Sequence, residues 1–328
     1  MTNDNRVLVL GATGGIGGEV ARQLRDTGWQ VRAVKRGLAQ PEERREGIEW
    51  VRGDAMNADD VLRAARDCDV LVHAVNPPGY RKWSELVLPM IDNTIAAAVA
   101  RRATIVLPGT IYNYGPDAFP TLGEDSPQHP STRKGAIRVE LERRLQAATH
   151  RGARVIIVRA GDFFGPNAGN NWFSQGLIKP GQPVSVVNMP GNGGIGHQWA
   201  YLPDVARTIV ELLARRQQLE SFATFHTAGH WDDDGSRMAA AVCLVVERET
   251  GMTPRTRAFP WWLLRLAAPF VVTARELLEM RYLWRQPIRM SNARLIEALG
   301  QEPHTPLEDA VRTTLLGLAC LPRQAELG

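Results

Sequence analysis

A glycine-rich turn between the first apolar run and the first helical pattern constrains the fold of this chain most strongly. Arg6–Leu10 is short and apolar, and the run Gly11-Ala12-Thr13-Gly14-Gly15-Ile16-Gly17 follows it directly. In this context Gly11 permits a tight turn, Gly14 lets a pyrophosphate approach the backbone, and Gly17 lets the helix pack on the strand. The phosphates then lie at the positive end of the helix. The turn therefore predicts a dinucleotide site.

The rest of the first half alternates short apolar runs with longer helical patterns. The predicted strands are Arg6–Leu10, Gln30–Val34, Ile48–Arg52, Val70–Ala74, Thr104–Leu107 and Arg154–Val158. The predicted helices between them are Ile16–Asp26, Asp59–Ala65, Ser84–Arg102 and Thr132–Thr149. Because crossovers between parallel strands are almost always right-handed, we expect the six strands to form one doubly wound parallel sheet, an α/β Rossmann fold.

The pattern loosens after the sixth strand, which suggests a second lobe. Residues 161–200 are rich in Gly, Asn and Pro and are interpreted as loops near a ligand. The predicted elements after them are helices at Pro203–Arg215, Gly235–Thr250 and Pro306–Leu318 and a strand at Ala223–Ala228. We therefore expect a dinucleotide-binding domain over residues 1–160, to which the chain returns near 200–228, and a smaller substrate-binding lobe over residues 161–328.

Composition excludes several classes of function. The chain has 39 Lys+Arg and 35 Asp+Glu, a net charge of +4, and its arginines are dispersed and often adjacent to acidic residues. This dispersal argues against a nucleic-acid partner. Cys68, Cys243 and Cys320 cannot all pair with one another and lack metal-ligand spacing, so we expect no metal site and a cytoplasmic location.

A tryptophan-rich segment, Phe259–Leu283, is apolar at first. Arg265 and Pro269 interrupt it and further charges follow, so we expect no stable membrane insertion. A pair of packed helices or a lid is the favoured interpretation. Peripheral membrane contact through Trp261 and Trp262 is the less favoured alternative.

Several segments, in order along the chain, carry a family resemblance. The glycine spacing is G-x-x-G-x-x-G, and the later segments are Gly53-Asp54, Leu71–Val75, Leu107–Gly115, Arg159–Pro166 and Tyr201–Ala206. Together they resemble the extended branch of the short-chain dehydrogenase/reductase superfamily, the NAD-dependent epimerase/dehydratase-like enzymes. With the glycine turn, the resemblance implies cofactor contacts at Gly11, Thr13, Gly14, Gly15, Ile16, Gly17, Asp54, Ala55, Ala74 and Val75.

The end of the second strand indicates which dinucleotide is bound. A NAD enzyme normally carries Asp or Glu there, whereas this chain has Lys35 and Arg36. The planar donors of Arg36 suit a ribose 2′-phosphate, and Lys35 or Arg32 could assist. We therefore predict NADP(H) as the cofactor, the alternative being an exposed basic strand end.

The acid/base pair of this superfamily, a tyrosine followed four residues later by a lysine, is missing from the sequence. The residues four positions after the five tyrosines are Ser84, Pro116, Ala118, Val205 and Gln286. If Glu140 keeps its family position, Thr132 stands at the tyrosine and Ala136 at the lysine, with Lys134 two residues out of register. The hydroxyl of Thr132 is too weakly acidic to replace a phenol.

Four residues are candidates for the missing chemistry. Thr110 matches the family's catalytic Ser/Thr. Tyr112 could donate a proton, Asp162 could act as a carboxylate base or bind a hydroxyl, and His197 could exchange protons near neutral pH. The alternatives are a packing tyrosine, a loop or cap aspartate and a locally bonded histidine.

Two functions from different classes remain open. The first is an NADP(H)-dependent oxidoreductase or epimerase-like enzyme that acts on a small molecule with a nonstandard proton donor, with enone or imine reduction favoured over sugar epimerisation. The second is a non-catalytic NADP(H)-binding sensor or scaffold. A homodimer is an assembly that either could form.

Overall fold

A central β-sheet organises the first lobe in the computed structural model, which describes residues 5–77, 82–168, 171–191 and 193–322. In chain order the strands are β1 (Arg6–Leu10), β2 (Gln30–Lys35), β3 (Glu42–Arg45), β4 (Ile48–Arg52), β5 (Val70–His73), β6 (Thr104–Gly109), β7 (Thr121–Leu122), β8 (Arg154–Arg159), β9 (Asp162–Phe164), β10 (Val186–Met189), β11 (His197–Tyr201), β12 (Phe222–His226), β13 (His230–Asp232), β14 (Arg255–Ala258) and β15 (Arg289–Met290).

Ten α-helices accompany these strands in the described part of the chain. They are α1 (Gly15–Asp26), α2 (Ala58–Ala64), α3 (Trp83–Arg101), α4 (Arg133–Thr149), α5 (Leu202–Ala214), α6 (Arg237–Thr250), α7 (Trp261–Ala267), α8 (Val272–Glu279), α9 (Ala293–Leu299) and α10 (Leu307–Gly317). The predicted helices of the first half match α1 to α4 to within one residue at each end.

The main sheet has eight strands in the order β12-β8-β6-β5-β1-β2-β4-β3, and β3 is its antiparallel member. The predicted doubly wound parallel sheet is confirmed, but it has eight strands where six were predicted. The edge strand β3 is Glu-Glu-Arg-Arg, so it has no apolar pattern to reveal it; its charges suit an exposed edge. The predicted later strand, now β12, pairs in parallel with β8.

Two hydrophobic cores cover the two faces of this sheet. Successive side chains of a strand point to opposite faces. Val7 and Val9 accordingly lie in the core packed by α1, α5 and α9. Leu8 and Leu10 lie in the core packed by α2, α3 and α4. The near-continuous apolar strand is what a sheet buried on both faces requires.

A third core holds the second lobe together. It is built around Phe164, Phe173, Trp199 and Trp284 with the inner faces of α6 and α10. The segment 161–200, expected as loops, contains the strands β9, β10 and β11 and a π-helical turn at Phe173–Leu177. Short strands paired with distant segments leave no local periodicity, which is why the sequence did not predict them.

The position of β1 fixes where a ligand can bind. The chain runs from β1 outward through β2 and β4, then returns to build β5, β6 and β8 on the other side. The reversal opens a crevice at the carboxyl ends of β1 and β5, the usual ligand site of such sheets.

Candidate active site

The glycine turn after β1 has the backbone geometry that only glycine tolerates. Gly11 has a φ of 92°, and a Cβ there would lie 2.5 Å from the carbonyl oxygen of Ala74. A Cβ on Gly17 would lie 2.4 Å from the carbonyl oxygen of Gly11. Gly14 has extended backbone and caps α1 without a side chain. The turn and the start of α1 thus pack tightly together and leave the helix N-terminus open to the crevice.

A groove extends from this turn along the ends of β2, β4 and β5. The predicted cofactor residues that line it are Gly11, Thr13, Gly14, Lys35, Arg36, Asp54, Ala55, Ala74 and Val75. Ile16 lies in the adjoining part of the cleft. Gly15 and Gly17 face the protein instead, since a Cβ on Gly15 would meet Leu202 at 3.1 Å.

The basic end of the groove carries an accessible guanidinium. The Arg36 side chain is 77% exposed, and its nearest carboxylate, that of Asp54, is 4.0 Å away. Arg32 points elsewhere: it donates to the carbonyl oxygens of Ala64 and Arg66, both at 2.9 Å, and pairs with Glu49. The structure does not support the expectation that Arg32 assists at the phosphate, because Arg32 does not line the groove and both of its terminal nitrogens are bonded elsewhere.

The groove continues into a middle part lined by Ile16, His73, Thr110, Tyr112 and Arg138 among others. His73 is buried, and its Nδ1 is 2.8 Å from the Thr94 hydroxyl, which itself donates to the Met90 carbonyl. Because that hydroxyl has one proton to give, His73 donates from Nδ1, and its Nε2 is an acceptor. Burial and the charge of Arg138 lower the pKa of His73 to about 3, so the ring is neutral.

An inner cavity lies beyond Thr110 and Tyr112, which line both parts. Its apolar wall comes from both lobes and consists of Ile111, Phe163, Trp172, Phe259 and Leu277. Polar groups enter from Asp162, Asn171 and Gln175. Because neighbouring parts share lining residues, the groove, the middle part and this cavity form one cleft.

The candidates Asp162 and His197 form one pair. The Nε2 atom of His197 is 2.9 Å from Oδ2 of Asp162, and both side chains are largely buried. The ring of His197 stacks on Trp284 with centroids 3.8 Å apart. The structure thus brings Thr110, Tyr112 and Asp162 to the same cleft. His197 does not line the cleft but is bonded to Asp162.

The inward face of α4 differs from the alignment drawn on the sequence. Lys134, Arg138 and Glu142 are buried, whereas Ala136 is exposed. Thr132 only caps the helix, since its hydroxyl accepts from the Gly135 amide at 3.0 Å. Burial instead favours Lys134 and Arg138, which have the same four-residue spacing and lie on the buried face of the helix, where Arg138 lines the middle part of the cleft.

Lys134 is held by two carboxylates that the sequence analysis missed. Its Nζ donates to both Glu276 and Glu279 of α8, and its side chain is 2% exposed. Burial raises the pKa of Glu279, but the hydrogen bond and charge of Lys134 outweigh it, so the pKa is lowered overall. The predicted pair of helices or lid at residues 259–283 is thus a helix pair clamped to α4.

A second buried ion pair fixes the other half of α4. Arg159 donates to both oxygens of Glu142, at 3.0 Å and 2.9 Å, and also to the Thr110 carbonyl oxygen. Burial lowers the pKa of Arg159 and the carboxylate of Glu142 raises it; the pKa is raised overall. This pair joins α4 to the ends of β6 and β8 and so holds Thr110 in place.

Tyr282 is a further group near the cavity. Its hydroxyl is buried and has no hydrogen-bond partner among the residues that the structure describes. Burial, and then the nearby carboxylates of Asp162 and Glu279, raise its pKa. It does not line the inner cavity, and no motif predicted it, because it lies in the C-terminal segment.

One group of side chains has the spacing of a metal site. Ligand atoms of Asp204, His230 and His304 lie within 4.8 Å of one another. Asp204 already accepts hydrogen bonds from the amide and hydroxyl of Thr305, at 2.7 Å and 2.8 Å, and from Arg207 at 2.7 Å. We assign this group a structural role, which is to tie the loop before α10 to the start of α5.

The fold and the cleft together define a class of protein. A dinucleotide turn at the reversal point of a doubly wound sheet, joined to a second lobe that closes an inner cavity, is the architecture of the extended short-chain dehydrogenases/reductases. The sequence profile of the NAD dependent epimerase/dehydratase family matches residues 7–226. The chain belongs to this family.

Solved structures share the fold over nearly the whole chain. MoeE5 in complex with UDP-glucuronic acid and NAD has a TM-score of 0.70 at 20% identity, covering 95% of this chain and 98% of its own. UDP-glucuronic acid 4-epimerase from Bacillus cereus has a TM-score of 0.70 at 15% identity with the same coverage. A putative epimerase from Burkholderia cenocepacia has a TM-score of 0.71 at 18% identity, covering 96% and 98%. No curated protein sequence matches the chain significantly.

Proposed function

We propose that the protein is an NADP(H)-dependent oxidoreductase that reduces a small apolar organic molecule. The observation that carries the proposal is the single cleft that runs from a basic groove, through the middle part at Thr110 and Tyr112, into an apolar inner cavity. A cofactor held along the groove would present its reactive end at the middle part, beside a substrate in the inner cavity.

The basic end of the groove supports NADP(H) rather than NAD(H). MoeE5 and the Bacillus cereus epimerase were solved with NAD, whereas the end of β2 in this chain offers Lys35 and Arg36. Both line the groove, and the Arg36 guanidinium is exposed. A guanidinium that binds the 2′-phosphate would contribute about 1.5 to 3 kcal/mol, or about ten- to a hundredfold in affinity.

An equilibrium titration with NADPH and NADH tests this preference. We expect the parent protein to bind NADPH more tightly, and Arg36→Ala to lose about ten- to a hundredfold for NADPH while NADH affinity stays nearly constant. The preference should shrink as salt rises. Arg32→Ala is the matched control, because its side chain is turned away from the groove. Equal affinity of the parent for both cofactors would refute the assignment.

The inner cavity supports an apolar substrate. Aromatic and aliphatic side chains from both lobes form most of its wall, and few polar groups enter it. The neighbours solved in complex with UDP-glucuronic acid share only the fold with this chain. Removing a proton from a sugar carbinol would also need the tyrosine base that the chain lacks.

Side chains at the cleft would donate a proton to the substrate and orient it. When bound, NADPH supplies the hydride. Tyr112 lines both the middle part and the inner cavity, so its hydroxyl is the proposed proton donor to the reduced substrate. The pair Asp162–His197 fixes the polar end of the cavity and would orient a substrate carbonyl or amine. Thr110, held through Arg159, would contact the same group.

The reaction class can be tested with a panel of small apolar ketones, enones and imines. We expect NADPH oxidation with at least one class and transfer of deuterium from labelled NADPH to the product. The sensor hypothesis has one observation in its favour: Lys134, at the four-residue spacing of the missing pair, is clamped by two carboxylates. Tight NADPH binding with no transfer to any compound would favour the sensor.

A further inference from the structure

Exposed apolar side chains concentrate in one short segment of the second lobe. Ten large apolar side chains are exposed in the described part of the chain, and six of them lie between residues 262 and 272. Phe270 is 89% exposed, Leu266 66% and Trp262 61%. The others are Leu263, Val271 and Val272. Soluble proteins expose single apolar residues commonly, but such a cluster marks an interaction surface.

These residues lie on a helical hairpin, which we define as α7, the turn after it and α8 (residues 261–279). Trp262 and Leu266 are one helical turn apart and therefore lie on the same face, with Arg265 beside them. Phe270 and Val271 occupy the turn between the helices. Trp261 points inward, is buried, and donates from Nε1 to the Pro190 carbonyl oxygen at 2.8 Å. One tryptophan thus anchors the hairpin and the next is presented to the outside.

In the hairpin and the turn after it, the acidic side chains bind Lys134 and several basic side chains gather at a surface depression. Glu276 and Glu279 face inward onto Lys134. Arg265, Arg281 and Arg285 line one surface depression, and the acidic residue Glu279 also lines it. Burial and the charges of Arg285 and Arg265 lower the pKa of Arg281, as expected for crowded cations. The outer surface is therefore apolar at its tip and basic at its base.

We propose that this hairpin docks the protein on an anionic lipid surface. Apolar side chains from Trp262 to Val272 enter the boundary between headgroups and acyl chains, while the arginine cluster binds lipid phosphates. A second copy of the chain fits this surface poorly, because a symmetric contact would bring two arginine clusters together. No helix in the described ranges has the length and apolar character to cross a bilayer.

The hairpin also borders the cleft, so docking bears on how a substrate reaches the inner cavity. Leu277 of α8 and Phe259, just before α7, line the inner cavity. A docked molecule holds this apolar cavity near the bilayer, so a substrate dissolved in lipid can reach it with little exposure to water. This step rests on the proposed function, whereas the docking can be measured without any turnover.

Vesicle sedimentation of the full-length protein tests the docking. The vesicles are phosphatidylcholine alone or phosphatidylcholine mixed with phosphatidylglycerol. We expect binding to the anionic vesicles that weakens with salt. Phe270→Ser with Leu266→Ser should lower the partition coefficient by about tenfold or more. Arg265→Gln with Arg285→Gln should weaken binding to the anionic vesicles specifically.

Two exposed residues away from the hairpin provide matched controls. Met252→Ser removes an exposed apolar side chain, and Arg44→Gln removes an exposed cation; neither should change the partition. The proposal is overturned if the parent binds neither vesicle, or if the control variants lose binding as much as the hairpin variants. Self-association in sedimentation velocity that Phe270→Ser abolishes, without vesicle binding, would show a protein–protein surface instead.

Discussion

Replacing Lys134 with methionine should destabilise the protein far more than replacing an exposed cation. Lys134 is 2% exposed, and the carboxylates of Glu276 and Glu279 that it binds are 12% and 18% exposed. Lys134→Met leaves two carboxylates close together in a largely buried place with no cation. Removing one partner of a buried ion pair costs about 3 to 5 kcal/mol. We expect about 3 kcal/mol at neutral pH, since the carboxylates keep some solvent contact.

The assay is urea unfolding monitored by tryptophan fluorescence. With a slope of about 3 kcal/mol per molar urea, the midpoint should fall by about 1 M. Arg143→Met on the same helix is the matched control: its partner is Glu140, the side chains are 66% and 31% exposed, and the loss should stay below about 1 kcal/mol. Adding Glu276→Gln and Glu279→Gln to Lys134→Met should restore much of the stability, because the uncompensated charges are gone.

The pH dependence gives a second check on the cause. In the parent the pKa of Glu279 is lowered below 4.5, so its contribution is present above that pH and is lost as pH falls through the folded-state pKa. In Lys134→Met the contribution of Lys134 is lost and burial is opposed only by the amide and charge of Arg133, so the pKa of Glu279 is higher than in the parent and the variant gains relative stability as pH falls. The difference between parent and variant should therefore shrink in acid. A loss under about 1 kcal/mol at neutral pH, or a gap that does not change with pH, would refute the reasoning.

Three further outcomes are expected. Gly14→Val should stay folded, since a Cβ there meets only the Gly11 carbonyl oxygen, at 3.3 Å, yet lose dinucleotide binding in a titration; unchanged affinity would contradict the groove assignment. Tyr112→Phe should lower turnover by about a hundredfold or more with NADPH affinity unchanged, and unaffected turnover would point to the pair Asp162–His197. Burial chiefly lowers the pKa values of three histidines, His73 and His226 to about 3 and His230 to about 4, so the unfolded state alone takes up their protons below pH 6.5. The unfolding free energy should then fall by up to about 4 kcal/mol per pH unit in mild acid; a flat profile from about pH 7 to about pH 5 would contradict this.

The sequence by itself determined the features that are local along the chain. The strand, the glycine turn and the start of α1 occupy the twelve consecutive positions from Arg6 to Gly17, so backbone sterics at Gly11 and Gly17 fix their geometry locally. Lys35 ends β2 and Arg36 follows it directly, and the carboxyl ends of the parallel strands in such a sheet lie along the ligand-binding edge. Thr110 and Tyr112 were likewise placed at the cleft by their position after β6.

The tertiary structure alone decided which face of α4 turns inward and what meets it there. Lys134 is 142 residues from Glu276 and 145 from Glu279, and no periodicity links positions that far apart. From the sequence, either Glu140 or Glu142 could be the inward-facing acidic residue of α4. In the folded protein Glu142 binds Arg159 in the interior. Glu140 binds Arg143 and Arg144 near the surface. The burial of ionic groups depends on which distant partner neutralises them, and that choice is made only when the chain has folded.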